Sequence, residues 1–271
     1  MAGAVAADAL DAVSIRRGLE SLGVQLAVEV CERCTSTNSL LLERSAEGVP
    51  ALLFAEEQTA GRGRRGRRWH SERGAALMFS LRRTFSGTVG RLGGLSLAAG
   101  VGVARALQAL GANGVGLKWP NDLLAPARLG GGKLGGILVE TRASGGQVSV
   151  VVGVGLNCRR TDGLDGRLRR RVAALDELMD PLPARNEIAI HVAAGLAGAL
   201  ESFENAGFDT FRPEWESMHA NQGETMKVRM SDGRVVSGVA DGLAPDGGLL
   251  LRTRRGVRAI HSGSVVRGRA A

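Results

Sequence analysis

Apolar positions along the chain change their spacing, and the changes mark out helices and strands. Leu10, Val13, Leu19 and Leu22 recur at helical intervals, whereas "PALLFAEE" is a continuous apolar run that is typical of a buried strand. "TSTNSLLLERSAEG" predicts a helix that is opened by a hydroxyl N-cap and closed at Gly48. The pattern further predicts helices over 8–22, 91–110, 171–179, 186–205 and 207–218, and strands over 24–34, 50–57, 74–83, 114–125 (two strands around a proline turn), 131–143 and 147–158.

The pattern shifts near residue 219. From there, short strands alternate with the turn sequences "SDG", "PDGG" and "RRG", which predicts a small β-barrel of about 50 residues. We therefore divide the 271 residues into a larger domain over 1–218, which mixes strands and helices, and a β domain over 219–271. The many small residues of the 91–110 helix predict close packing against a sheet.

Composition narrows the class of protein. Hydrophobic residues make up 44% of the chain, but no apolar run approaches the ~20 residues that span a bilayer. The start "MAGAVAADALDAV" lacks a basic region ahead of an apolar stretch, so we expect no signal peptide, no membrane segment and a cytoplasmic protein. Cys31 and Cys34 have C-x-x-C spacing, but no second pair of ligands follows. We interpret them as strand residues.

The net charge of +8 favours anionic partners without choosing among them. Five of the arginines lie in "EEQTAGRGRRGRRW", from Glu56 to Trp69, which contains G-x-G-x-x-G. A dinucleotide-binding turn would need a helix next, but another strand follows. The P-loop register of "LGGGKLGG" fails at Ala127 and Leu134. Three interpretations stay open: a nucleic-acid contact, a solvated basic loop, or a lid over a small activated molecule.

Four further motifs place polar groups beside apolar strands: "STN" at 36–38, "KWPNDLL" at 118–124, "GGKLGGILVE" at 131–140 and "GVGLN" at 153–157. Singly, each is explained by a helix cap, a packed turn or a solvated strand end. Together with the arginine segment, and in this order, they closely resemble the biotin protein ligase family (biotin–acetyl-CoA-carboxylase ligases). Lipoate ligases share that fold but lack the G-R-G-R-x-G-R-x-W loop followed by K-W-P-N-D.

The resemblance implies an α/β (α+β) fold: a mixed-sheet catalytic domain related to class II aminoacyl-tRNA synthetases, with a C-terminal SH3-like β-barrel. It implies that biotin and ATP, with Mg²⁺ brought by ATP and no protein-held metal, form biotinyl-5′-AMP. The biotinyl group then passes to a lysine of the biotin carboxyl carrier domain of acetyl-CoA carboxylase or a related carboxylase. A homodimer is compatible with the family. Only 35 residues precede Ser36, and they predict one helix and one strand, so we expect no winged helix and no specific DNA binding.

The resemblance also implies residue roles. Lys133 would contact the biotin carboxylate and the α-phosphate, Asp122 would orient or deprotonate the acceptor lysine, and Arg64 would act with them from a loop that orders over the adenylate. Asp122 could instead simply hold the turn after Pro120. Gly135 stands where the family often has alanine. Biotin-binding positions would be Ser36, Thr37, Asn38, Gln58, Gly61, Arg62, Gly63, Arg64, Lys133, Gly135 and Gly136; nucleotide-binding positions would be Arg64, Arg67, Trp69, Lys118, Asn121 and Asn157.

Two other functions remain alternatives. One is a lipoate or octanoyl ligase-like acyltransferase, which would share the fold but bind a different acid. The other is a nucleic-acid-binding protein that uses the arginine–glycine loop. Binding of biotin, lipoate and a short duplex would distinguish the three.

Overall fold

The larger of two β-sheets has seven strands and a mixed topology. A computed structural model describes residues 8–44, 50–168 and 170–266. The spatial order of the strands is β1-β2-β3-β7-β6-β5-β4; β1 and β2 pair in parallel, and the other neighbours pair antiparallel. The mixed sheet predicted for the larger domain is therefore confirmed. The strands are β1 Ala27–Cys34, β2 Ala51–Gln58, β3 Ala76–Ser86, β4 Gly116–Lys118, β5 Asp122–Leu124, β6 Lys133–Ser144 and β7 Gln147–Asn157.

The helices of the larger domain pack around this sheet. They are α1 Ala12–Ser21, α2 Thr37–Glu43, α3 Leu95–Ala109, α4 Leu164–Leu168, α5 Arg185–Ala206 and α6 Arg212–Ser217. Helices α3 and α5 approach closely at Gly102 and Gly195, because a Cβ atom at Gly102 would lie only 2.5 Å from the Gly195 carbonyl oxygen. The small residues of α3 therefore serve a helix–helix contact as well as the predicted packing on the sheet.

The second sheet contains five antiparallel strands in the order β11-β10-β9-β8-β12. It comprises β8 Thr225–Arg229, β9 Val235–Leu243, β10 Leu249–Thr253, β11 Gly256–Ile260 and β12 Ser264–Val266. The predicted all-β C-terminal region is confirmed, while the boundary at 218/219 stays a prediction. Trp119 joins the two parts, since its indole Nε1 donates to the Gly247 carbonyl oxygen at 3.1 Å.

Several helix predictions need correction. The first helix begins at Ala12 rather than at residue 8, and the helix predicted to close at Gly48 ends at Glu43, because Arg44 is extended. The 91–110 helix begins only at Leu95, because Gly94 has φ of 80° and a Cβ atom there would lie 2.4 Å from the Phe208 ring. Residues 171–179 contain only the 3-10 turn Leu175–Glu177, since the backbone at Val172 pairs with β6 instead. The last helix starts at Arg212 rather than 207, and α4 was not predicted. Gly48 lies outside the described residues.

The segment Val89–Ala109 is long and apolar enough to cross a membrane, contrary to the expectation that no such run exists. It includes α3, and 61% of its most apolar window is buried inside the protein, as in the core helix of a soluble fold. The segment therefore gives no support for a membrane span.

Cys31 and Cys34 lie on β1, as predicted. Burial raises the pKa of both thiols, that of Cys34 to about 12. Since only the thiolate is a good nucleophile or metal ligand, neither thiol is suited to such a role at neutral pH.

Candidate active site

A cavity of about 340 Å³ opens where the large sheet, the arginine segment and the second sheet meet. Its volume lies within the usual range for small-molecule sites. It brings together most residues that the sequence motifs singled out: Ser36, Thr37, Asn38, Gln58, Arg62, Gly63, Arg64, Arg67, Trp69, Lys118, Asn121, Asp122, Lys133 and Gly136.

The start of α2 supplies hydroxyl and amide groups to the cavity. Ser36 occupies the N-cap position but makes no capping hydrogen bond, so the predicted use of its hydroxyl as a cap is wrong. The backbone N–H of Thr37 donates to Gln58 Oε1 at 2.8 Å. Gln58 Nε2 donates to the sulfur of Met78, a weak acceptor. The Gln58 amide is thus fixed in orientation and retains donor capacity for a ligand.

Lys133 and Asp122 form a close ion pair in the cavity wall. Lys133 Nζ donates to Asp122 Oδ1 at 2.5 Å, and the two side chains are 15% and 24% exposed. A Cβ atom at Gly136 would lie 2.8 Å from the same Nζ, so the space beside Gly136 is taken by the lysine. An ammonium group has three donors. Lys133 can therefore keep Asp122 and still bind an anionic oxygen.

The arginine segment is a short hairpin. Arg62 and Arg68 form an antiparallel bridge, the Gly63 N–H donates to the Arg67 carbonyl oxygen at 2.7 Å, and the Trp69 N–H donates to the Gly61 carbonyl oxygen at 2.9 Å. This backbone holds the arginine side chains over the cavity. The predicted transition from disorder to order stays a prediction.

Side chains at the hairpin tip contact the second sheet. Arg65 Nη1 and Arg67 Nη2 donate to Ser264 Oγ at 3.1 and 3.3 Å. Burial, followed by the positive charge of Arg65, lowers the pKa of Arg64, while Asp122 opposes the shift. Crowded, partly desolvated cations gain most from an anion, and this end of the cavity is therefore suited to phosphate.

Trp69 rests on the backbone of β7. A Cβ atom at Gly155 would lie 2.7 Å from the indole ring, and Lys133 Nζ lies 5.8 Å from the ring centroid. The indole Nε1 is buried with no hydrogen-bond partner among the described residues. Trp69 thus forms part of the cavity wall, and its predicted packing over a nucleotide stays a prediction.

Three predicted positions do not line this cavity. Gly61 lies at the base of the hairpin. Gly135 allows β6 to lie close to β7, because a Cβ atom there would lie 2.7 Å from the Gly155 carbonyl oxygen. Asn157 Nδ2 donates to the carbonyl oxygens of Ala173 and Lys133 at 2.9 and 3.2 Å, which fixes the ends of β6 and β7. All three residues thus have structural contacts, and their predicted contacts with biotin or nucleotide stay predictions.

Sequence reasoning missed several residues at the site. Ser80 and Glu140 form hydrogen bonds behind the cavity wall, Gly155 supports Trp69, and Ser264 anchors the hairpin. Gly155 lies in the motif "GVGLN" and Glu140 in "GGKLGGILVE". Ser80 and Ser264 belong to no motif, and their partners are distant in sequence, so the sequence did not indicate them.

The described residues contain no group of three or more His, Cys, Asp or Glu side chains that could hold a metal ion. Asp122 is the one carboxylate among the described residues that line the cavity. Mg²⁺ commonly binds through one or two carboxylates together with substrate phosphates. The donor set therefore fits a Mg²⁺ ion that arrives with a nucleotide better than a resident metal.

Two family models match the chain. Residues 30–157 match the Biotin/lipoate A/B protein ligase family, and residues 223–268 match the Biotin protein ligase C terminal domain. The Bifunctional ligase/repressor BirA of Escherichia coli is 36% identical over 228 residues, which are 83% of this chain and 69% of that protein. The Biotin--[acetyl-CoA-carboxylase] ligase of Mycobacterium tuberculosis is 34% identical over 246 residues, which are 88% of each chain.

A solved structure shares the architecture. The biotin protein ligase from Aquifex aeolicus, in complex with biotin and ATP, has a TM-score of 0.75 and 27% identity to this chain. The match covers 90% of this chain and 99% of that one. The similarity thus includes both sheets.

Proposed function

We propose that this chain, which belongs to the biotin protein ligase family and is an enzyme, activates biotin as biotinyl-5′-AMP and transfers the biotinyl group to a lysine of a carboxyl carrier domain. The observation that carries the proposal is the Lys133–Asp122 pair, which lines the same cavity as Thr37, Gln58 and the arginine hairpin. One cavity therefore offers sites for a polar ring, a carboxylate and a phosphate. We also place the reaction in the cytoplasm.

The polar end of the cavity suits the ureido ring of biotin. Ser36 and Thr37 present hydroxyl groups there, Gln58 presents an amide and Asn38 lines the same pocket; all of them are at least half-buried. Phe79 and Ile137 add apolar wall. A site with a few fixed polar groups on apolar walls selects for a ring of matching hydrogen-bond pattern.

The cationic end suits adenylate formation. A lysine about 4 Å from a phosphate oxygen contributes roughly 4 kcal/mol at an effective dielectric constant near 20. Lys133 would hold the biotin carboxylate against the α-phosphate, while Arg64 and Arg67 neutralise the phosphate charge. Bound Mg²⁺ would supply further charge neutralisation to the triphosphate. The hairpin would exclude water from the mixed anhydride.

Transfer would use Asp122. In the structure, its carboxylate accepts from Lys133. When the adenylate engages Lys133 with its oxygens, Asp122 can accept a hydrogen bond from the incoming carrier lysine and remove its proton as the amine attacks. The amide bond then forms and AMP leaves.

The test is incorporation of biotin into an apo carrier domain, measured by mass spectrometry with ATP and Mg²⁺. We expect one biotinyl group per carrier domain, located on one lysine, and none without ATP. Incorporation of lipoate in its place would support the acyltransferase alternative. Binding of a short duplex with no modification would support the nucleic-acid alternative.

A further inference from the structure

We propose that Glu140, which does not line the cavity, fixes the direction of a hydrogen-bond chain that ends at Thr37, so that the Thr37 hydroxyl can only accept a hydrogen bond from a ligand. The chain runs from Glu140 through Asn38 and Ser80 to Thr37. Glu140 thereby selects ligands with an N–H donor at this point. The identity of the ligand rests on the proposed function.

The first link fixes the Asn38 amide. Its Nδ2 lies 2.8 Å from Glu140 Oε2 and 3.3 Å from the Leu138 carbonyl oxygen. A carboxylate and a carbonyl only accept, so the NH₂ group must face them. Asn38 Oδ1 is thereby turned toward β3. The absence of a side chain at Gly153 permits this position, since a Cβ atom there would lie 2.2 Å from Oδ1.

The second link passes the direction on. Ser80 Oγ lies 2.5 Å from Asn38 Oδ1 and must donate its single hydrogen to it. Ser80 Oγ also lies 2.6 Å from Thr37 Oγ1, and with its own hydrogen on Asn38 it can only accept there, so Thr37 is the donor of that bond. Gln58 Oε1, at 3.3 Å from Thr37 Oγ1, is a longer second acceptor for the same hydrogen. Thr37, Asn38 and Ser80 are all buried, and water cannot easily supply a substitute partner.

The consequence is a specificity element. With its hydrogen directed to Ser80, Thr37 Oγ1 offers only lone pairs to the cavity. A cyclic urea such as that of biotin carries N–H donors that satisfy them, whereas the dithiolane ring of lipoate has none. A buried group that loses its partner costs affinity, so the arrangement discriminates against the second ring.

Arg62 adds a second contact to Glu140, because its Nη2 lies 3.2 Å from Oε1. A carboxylate satisfies Arg62 and Asn38 with separate oxygens. Glutamine has a single acceptor oxygen for these two donors. In Glu140→Gln the new NH₂ group can face Asn38 and favour the flipped amide, against the longer 3.3 Å contact with the Leu138 carbonyl oxygen, while the size of the side chain is preserved.

The test compares the dissociation constants of biotin and lipoate for the full chain, by calorimetry and competition. We expect Glu140→Gln to weaken biotin binding about tenfold, equal to about 1.4 kcal/mol, and to leave lipoate binding unchanged. Glu204→Gln is the matched control, since Glu204 pairs with Arg83 at similar exposure but does not line the cavity. Arg62→Gln removes the hairpin contact but keeps the Glu140 carboxylate, so the Ser80 and Thr37 deuterons should keep their directions in it.

Equal loss of both ligands in Glu140→Gln would overturn the proposal. Neutron diffraction of the deuterated wild type gives a readout that needs no ligand. We expect the Ser80 deuteron to point at Asn38 and the Thr37 deuteron to point at Ser80. The opposite arrangement rejects the proposal. A wild type that binds no biotin would reject the proposed function instead, and the deuteron positions would still decide the direction of the chain.

Discussion

At the scale of single residues, missing Cβ atoms in β7 shape the cavity as much as its polar groups do. Gly153 leaves room for the Asn38 amide, and Gly155 leaves room for the indole ring of Trp69. Both glycines lie in regular strand pairing with β6, so neither is needed for a turn. Their role is to leave space, so that the side chains of Asn38 and Trp69 can lie close to the sheet backbone.

We expect Gly155→Ala to raise the KM for biotin at least about tenfold. The new methyl group would lie 2.7 Å from the indole ring of Trp69 and must displace it. Overpacking of this kind typically costs about 1–3 kcal/mol. Steady-state kinetics and the fluorescence of the tryptophans measure the change. Gly166→Ala is the control, because a Cβ atom there meets nothing within 4 Å. An unchanged KM would show that Trp69 does not shape the ligand site.

The sequence motifs predicted which side chains line the site better than they predicted the hydrogen-bond partners of those side chains. Lys133, Asp122, Gln58 and Thr37 were all selected from quoted motifs, and all line one cavity. Asn157 lies in the motif "GVGLN", and its amide donates to the backbone carbonyl oxygens of Ala173 and Lys133, which the motif does not indicate. A motif gives the chemical group, whereas its partner depends on how distant segments pack.

At the scale of elements, the arginine segment is a hairpin whose tip binds the second sheet through Ser264. The continuous apolar run of β2 and the hairpin of β6 and β7 were predictable because each pattern is local. The start of α3 was not predictable, since it depends on the positive φ of Gly94 and on the Phe208 ring that packs against this glycine. The exposed arginines Arg65 and Arg67 are therefore positioned by Ser264, a partner far away in the sequence, which the local sequence pattern does not indicate.

We expect Arg64→Gly to form the adenylate but release it about ten- to a hundredfold faster. Losing one charged hydrogen bond costs roughly 1.5–3 kcal/mol, and the rate changes accordingly if that bond is absent in the transition state for release. Rapid dilution of pre-formed adenylate measures the rate, and biotin labelling of an unrelated protein reports the leak. Arg254→Gly, in an exposed turn of the second sheet, is the control. Equal retention by Arg64→Gly would reject the role of the hairpin as a lid.

At the scale of the whole molecule, a buried ion pair ties the N-terminal segment to the sheet. Arg185 is fully buried and its Nη2 donates to both carboxylate oxygens of Glu56 at 2.9 Å. Glu56 also accepts from the Leu10 N–H, and Asp8 accepts from the Arg185 N–H. Glu56 opens the arginine-segment motif, but this network gives it a structural role.

We expect Arg185→Met to lower the free energy of unfolding by about 3–5 kcal/mol, because it leaves the Glu56 charge buried without its partner. The double variant Arg185→Met/Glu56→Leu should recover most of the loss, since an apolar pair can replace a buried ion pair. Urea denaturation measures both. Arg44→Met, which breaks an exposed pair with Glu29, should change the value by less than about 1 kcal/mol. A similar small loss in Arg185→Met would contradict the structural role of the network.

The most direct test of the proposed chemistry is biotin-dependent exchange between ATP and pyrophosphate. The wild type should exchange with biotin and not with lipoate. Lys133→Ala should lower the rate at least about a hundredfold at unchanged thermal stability, because Lys133 places a positive charge in the cavity wall beside Asp122. Lys227→Ala, at an exposed strand position of the second sheet, should exchange like the wild type. Near wild-type exchange by Lys133→Ala, or equal exchange with lipoate, would contradict the proposed biotin activation.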